Sequence, residues 1–286
     1  MELLRGQCFC YPSMLGREAA VSQEGKPMQS STALEVVLKR DRLIVLSGLA
    51  GLTALAWAYT GYLAWSMDCM HMAMPHMQTW GGTELVLLFI MWSVMMVAMM
   101  VPSAAPMLLM YTTINRRRRE QQQPYVPTAV FLGGYLLVWA GFSILATLAQ
   151  WGLHSAALLS PMMVSTSPIL GGLVLLAAGS FQWTPLKYTC LARCRSPLGF
   201  LMTDWREGHR GALIMGLRHG MYCVGCCWFL MALLFVAGVM NLLWVAAIAA
   251  FVLVEKAVPR GDLVGRVAGG VLVLAGLVML GQALST

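Results

Sequence analysis

Seven apolar stretches, at about 43–66, 84–110, 127–153, 168–185, 212–237, 239–255 and 264–283, limit what this chain can fold into. Each is near the ~20 residues that an α-helix needs to cross the hydrocarbon core of a bilayer. Only 11% of the residues are charged, against about a quarter in a soluble domain, so no polar coat is available. The expected fold is therefore all-α: a polytopic transmembrane helical bundle of about seven spans. The fourth stretch is short, and only Gly238 separates the fifth from the sixth, so six spans remain an alternative.

The net charge of +7 would suit nucleic acid if the basic residues formed one surface. They lie instead in short clusters between apolar runs, which points to a lipid bilayer as partner and to no nucleic acid. With the N-terminus in the cytoplasm, the inside segments hold Lys39, Arg40 and Arg42, then Arg116 to Arg119. Later inside segments hold Lys187, Arg193, Arg195, Arg206, Arg210 and Arg218, then Lys256, Arg260 and Arg266. Adding Arg5, Arg17 and Lys26 of the leading segment puts all 19 basic residues inside, as the positive-inside rule requires. This predicts a bacterial-type inner-membrane protein with a cytoplasmic N-terminus and the C-terminus outside. Residues 1–38 read as a flexible cytoplasmic tail, and 39–286 as the membrane domain.

The donor atoms are unusually soft. There are 23 Met, 8 Cys and 5 His, but only 12 Asp and Glu. Between the first two stretches stand Asp68, Cys69, Met70, His71, Met72, Met74, His76 and Met77. Thioethers and thiolates favour Cu(I), imidazole accepts either copper oxidation state, and zinc or iron has little use for methionine. The plainer alternative is methionine as an adaptable interfacial hydrophobe.

The second stretch carries Met91, Met95 and Met99 at i, i+4 and i+8, one stripe of a helix, with Met96 and Met100 beside it. Such a stripe would relay a soft cation from thioether to thioether, or would simply pack against irregular neighbours. Pro102 and Pro106 in the same stretch free backbone carbonyls that something else must satisfy.

A third group begins with Cys190 and Cys194, one helical turn apart. His219, Cys223, Cys226 and Cys227 follow at i, i+4, i+7 and i+8, in one sector of a helix. Cytoplasmic thiols stay reduced, which favours metal ligation over disulfides. A four-coordinate zinc site is chemically possible, and isolated thiols also serve as small core hydrophobes. No phosphate-binding GxxxxGK[ST] loop occurs, which speaks against an ATP-driven pump. Carboxylates are nearly absent from the spans, with Glu84 and Glu255 at their ends, so proton coupling is weakly disfavoured. No catalytic triad or carboxylate pair stands out, and an enzyme is the lesser expectation.

Three blocks carry a resemblance. These are Met91-Trp-Ser-Val-Met-Met-Val-Ala-Met-Met-Val-Pro-Ser103, Cys190-Leu-Ala-Arg-Cys-Arg-Ser-Pro197 and His219-Gly-Met-Tyr-Cys-Val-Gly-Cys-Cys-Trp228, followed by Met240-Asn241 and Glu255-Lys256. Over roughly residues 40–284 the chain resembles the DUF2182 family of membrane proteins, described as metal-binding and sometimes as copper chaperones. The resemblance implies a metal-binding membrane protein.

Three functions are then open. The first is copper handling: Cu(I) is captured by Cys69, Met70, His71, Met72, Met74, His76 and Met77 and relayed by Met95 and Met99. Cys190, Cys194, His219, Cys223, Cys226 and Cys227 then bind it, for transport or for delivery to a membrane cuproenzyme or a copper chaperone. The second is a structural or assembly subunit whose cysteines form a zinc staple. The third is a redox enzyme using the thiols or a haem on His219.

Overall fold

Pro102 cannot donate a backbone hydrogen bond, so a helix that runs through it leaves the carbonyl of Ala98 without its i+4 partner. In the computed structural model the indole Nε1 of Trp57 donates to that carbonyl at 3.1 Å. The proline therefore becomes a joint between two helices. The structure describes the backbone of residues 29–73, 81–156 and 167–285, and the side chains of 42–66, 81–156 and 167–285. The chain divides into Met1–Val37 and Leu38–Thr286, and the core belongs to the second unit.

Ten helices and no strand occur among the described residues. They are α1 (Gln29–Ala73), α2 (Gly82–Glu120), α3 (Thr128–Ser155), α4 (Pro168–Phe181) and α5 (Pro185–Arg195). The remaining five are α6 (Pro197–Asp204), α7 (Gly208–Ala232), α8 (Leu234–Ala237), α9 (Leu242–Ala257) and α10 (Gly261–Ser285). The all-α polytopic bundle expected from the sequence is what forms. Helix α1 starts at Gln29, inside the stretch read as a tail, and continues to Ala73, so the backbone of Asp68 to Ala73 is helical.

All seven apolar stretches are helical, yet they do not count equally as spans. Five segments are long and apolar enough to cross a bilayer, and six if the bent pair α4–α5 is one span. The protein is thus a multi-pass membrane protein. Helix α9 has 16 residues, about 24 Å at 1.5 Å per residue, which is short of the hydrocarbon thickness. The break within the fourth stretch has a local cause. Thr184 caps α5 by accepting from the Lys187 N–H at 3.4 Å, and Pro185 takes the first helical position. The two helices meet at 63°.

Two glycine seams hold the bundle. A Cβ on Gly134 of α3 would lie 2.4 Å from the Leu213 carbonyl of α7, and one on Gly216 would lie 2.1 Å from the Phe131 carbonyl. Here α3 and α7 touch backbone to backbone, the usual device in lipid, where no hydrophobic effect drives helices together. Gly179 against Gly269, and Gly172 against Gly276, do the same for α4 and α10. Gly133, by contrast, has open space around it.

The basic segments gather at one end. Arg118 pairs with Glu207 and lies 4.9 Å over the Trp205 ring. Arg218 pairs with Asp204, and Arg195 donates to the carbonyls of Val258 and Pro259. Two lysines counted among the inside-loop charges depart from that reading. Lys187 is fully buried, paired with Glu255 and donating also to Gln182. Lys256 reaches into the bundle.

Candidate metal centre

Helical spacing alone places the thiols of α7 together. Cys223 and Cys227 are one turn apart, Cys223 lies between Cys226 and Cys227 in angle, and all three are at most 1% exposed. Helix α5 lies alongside and adds Cys190 and Cys194, both buried. Cys194 and Cys227 each interact electrostatically with Cys226, and Cys227 also with Cys223. Cys190 stands at the edge of the group, where a Cβ on Gly225 would lie 2.7 Å from its Sγ. Every cysteine whose side chain is described is free, buried and part of this cluster.

Three further helices close the site. From α2, the Met100 thioether lies 4.0 Å from the Cys227 Sγ. From α3, the Tyr135 hydroxyl is 3.1 Å from the Cys223 Sγ and donates to the Met100 carbonyl at 3.1 Å. From α9, the Lys256 ammonium donates to the Cys223 Sγ at 3.0 Å and to the Ser103 Oγ at 3.1 Å. The site therefore lies where α9 ends, level with residues 100–103 of α2.

His219 belongs to the same pocket but is held differently. Its ring packs against Phe131, Tyr135 and Phe200, with centroids 6.1, 5.7 and 5.6 Å away. Its Nδ1 is buried without a hydrogen-bond partner. Buried polar atoms are nearly always satisfied, so this orphan nitrogen, on a ring stacked against the Tyr135 that touches Cys223, is a spare donor atom.

As they stand, no three His, Cys, Asp or Glu side chains among the described residues are set to hold a metal ion. Two of the thiols are engaged within their own helix. Cys226 and Cys227 turn back and donate to the carbonyl of Cys223, at 3.1 and 2.9 Å. Such back-bonding along a helix is a weak local interaction.

The sequence reading thus placed Cys190, Cys194, His219, Cys223, Cys226 and Cys227 in one region, and the structure brings them there. Met95 and Met99 are buried in α2, on the stripe neighbouring the one that reaches the thiols through Met100. Asp68, Cys69, Met70, His71, Met72, Met74, His76 and Met77 lie outside the described side chains. Tyr135, Ser103 and Lys256 were not singled out. A hydroxyl or an ammonium becomes informative only once its helix neighbours are known, although the Glu255-Lys256 pair at the end of an apolar stretch was a usable signal.

A family model described as PpoB2, copper chaperone, matches residues 89–279. That is about two thirds of the chain. This protein belongs to the PpoB2 copper-chaperone family. The copper-related expectation drawn from the soft donor atoms agrees with that membership. Every residue of the thiol site lies inside the segment matched to PpoB2, while the run from Cys69 to Met77 lies before it. No curated protein and no solved structure matches significantly.

Proposed function

We propose that this membrane protein binds Cu(I) between its helices and passes it on, across the bilayer or to a membrane cuproenzyme. The ligands are drawn from Cys194, Cys223, Cys226 and Cys227, with the Met100 thioether as a soft neutral donor and Cys190 and His219 beside them. One observation carries the proposal. The described cysteines do not scatter through the core as small hydrophobes would: all five lie on α5 and α7, two helices in contact, and Cys227 and Cys223 among them face a thioether and an ammonium. Thiolate with thioether is the donor set that selects Cu(I), whereas zinc gains nothing from methionine.

Entry would run through α2. Met91, Met95, Met96, Met99 and Met100 are all buried, and nine residues of helix cover about 13 Å. That is a column of thioethers leading to the thiols. The Met- and His-rich run from Cys69 to Met77 would be the capture segment ahead of it, added outside the part that matches the family. The membrane would be a bacterial inner membrane, with the arginine-bearing end in the cytoplasm.

The test is metal analysis of the detergent-purified protein after Cu(I) loading under reducing conditions. Wild type is expected to retain copper, and Cys223→Ser/Cys226→Ser to lose most of it. Copper retained equally by both would overturn the proposal. Zinc at a fixed ratio that resists chelation would replace it with a structural staple.

A further inference from the structure

A lysine ammonium inside a helical bundle normally faces a carboxylate, because an unbalanced charge is costly where water is scarce. Lys187 obeys this rule through Glu255. Lys256, the next residue along the chain from Glu255, does not. Glu255 is turned towards Lys187, and Lys256 forms no ion pair with a carboxylate among the described residues. Its partners are the Cys223 thiol and the Ser103 hydroxyl. It is also close enough to interact electrostatically with Cys194, Cys226 and Cys227. Lys187, Glu255 and Lys256 together carry one net positive charge, and the thiols beside Lys256 are the groups placed to balance it.

That requirement constrains which metal complex fits. A monovalent ion held by two thiolates carries one net negative charge, which one ammonium balances. A divalent ion on the same two thiolates is neutral and leaves the ammonium unbalanced, and balance then needs a third thiolate. We infer that Lys256 is a specificity-determining residue, a fixed counter-charge that selects bis-thiolate complexes of monovalent soft cations over divalent complexes of the same two thiolates. This rests on the thiol site proposed above and adds a role for a residue that is not itself a ligand.

The experiment is a competition in the full-length, detergent-purified protein between Ag(I), a redox-inert stand-in for Cu(I), and Zn(II). The readout is the ratio of the two apparent affinities. Lys256→Gln removes the charge and should lower the Ag(I):Zn(II) ratio by about tenfold or more, since a unit charge a few ångströms away is worth at least that inside a protein. Lys256→Arg keeps the charge and should hold the wild-type ratio. Ser103→Asp leaves the lysine in place but sets a carboxylate against it, so it should move the ratio in the same direction as Lys256→Gln. This second variant gives the answer even if Lys256→Gln does not fold.

A ratio unmoved in Lys256→Gln or Ser103→Asp would overturn the inference. So would equal losses for both metals, which mark a merely structural lysine, and so would a changed ratio in Lys256→Arg. The underlying copper reading fails separately, if Ag(I) binding to wild type survives Cys223→Ser/Cys226→Ser.

Discussion

At the residue scale, Met100 shows how little distinguishes a packing group from a donor. Its side chain is fully buried, and its sulfur is 4.0 Å from a thiol. Leucine fills nearly the same volume without offering a lone pair. Met100→Leu should therefore cost less than about 1.5 kcal/mol of stability, the usual range for a volume-conserving core exchange. It should nonetheless weaken Cu(I) binding while leaving Zn(II) binding unchanged, as titration with competing chelators will show. Tyr135 makes a complementary case. Its hydroxyl touches both Cys223 and the Met100 carbonyl. Tyr135→Phe should lose about 0.5–1.5 kcal/mol per hydrogen bond in stability, measured by thermal unfolding, and should lower Cu(I) affinity because Cys223 loses a contact that holds its rotamer.

At the element scale, the two halves of a glycine pair have opposite consequences. Gly134 meets the α7 backbone, and Gly133 meets nothing. Gly134→Ala should destabilise the protein by about 1–3 kcal/mol, as overpacking does, while Gly133→Ala should stay within about 0.5 kcal/mol of wild type. Unfolding temperatures in one detergent will rank them, and equal temperatures would contradict the described seam between α3 and α7.

A glycine doublet in an apolar stretch is the kind of feature that lets helices pack closely in lipid, but which of Gly133 and Gly134 faces a neighbour depends on the partner helix and is not in the sequence. The same limit governs the metal site. Helical period alone put Cys223, Cys226 and Cys227 on one face and Cys190 with Cys194 on another. It named Met95 and Met99 as the relay, whereas the thioether that reaches a thiol is Met100 of the Met96–Met100 stripe, one residue of rotation away. The apolar stretches were equally readable, whereas the shortness of α9 and the bend at Pro185 emerge only from capping and packing.

For the whole molecule, charges order the bundle at two depths. Arginines collect at one end with Glu207 and Asp204, consistent with the one-sided placement of basic residues along the chain. Deeper in, Lys187, Glu255 and Gln182 join α5, α9 and the α4–α5 break, and α10 covers them through Gly265, where a Cβ would sit 2.3 Å from the Glu255 Oε1. Glu255→Ala should cost about 3–5 kcal/mol, since it strands a buried ammonium. Lys187→Met/Glu255→Leu, which removes both charges, should recover most of that loss in the same unfolding assay. A single variant as stable as wild type would show that the pair does not hold these helices.

Glu255 and Lys256 are consecutive, yet each is committed to a different network about 100° apart around α9. The helix is thereby indexed like a key with two teeth, and its angular register is fixed at both at once. Lengthening α9 by one residue after Ile248 would leave its apolar character intact but rotate both teeth out of their wards. The charge pair and the sulfur contact would be lost together, whereas the same insertion among residues 258–260 would spare both.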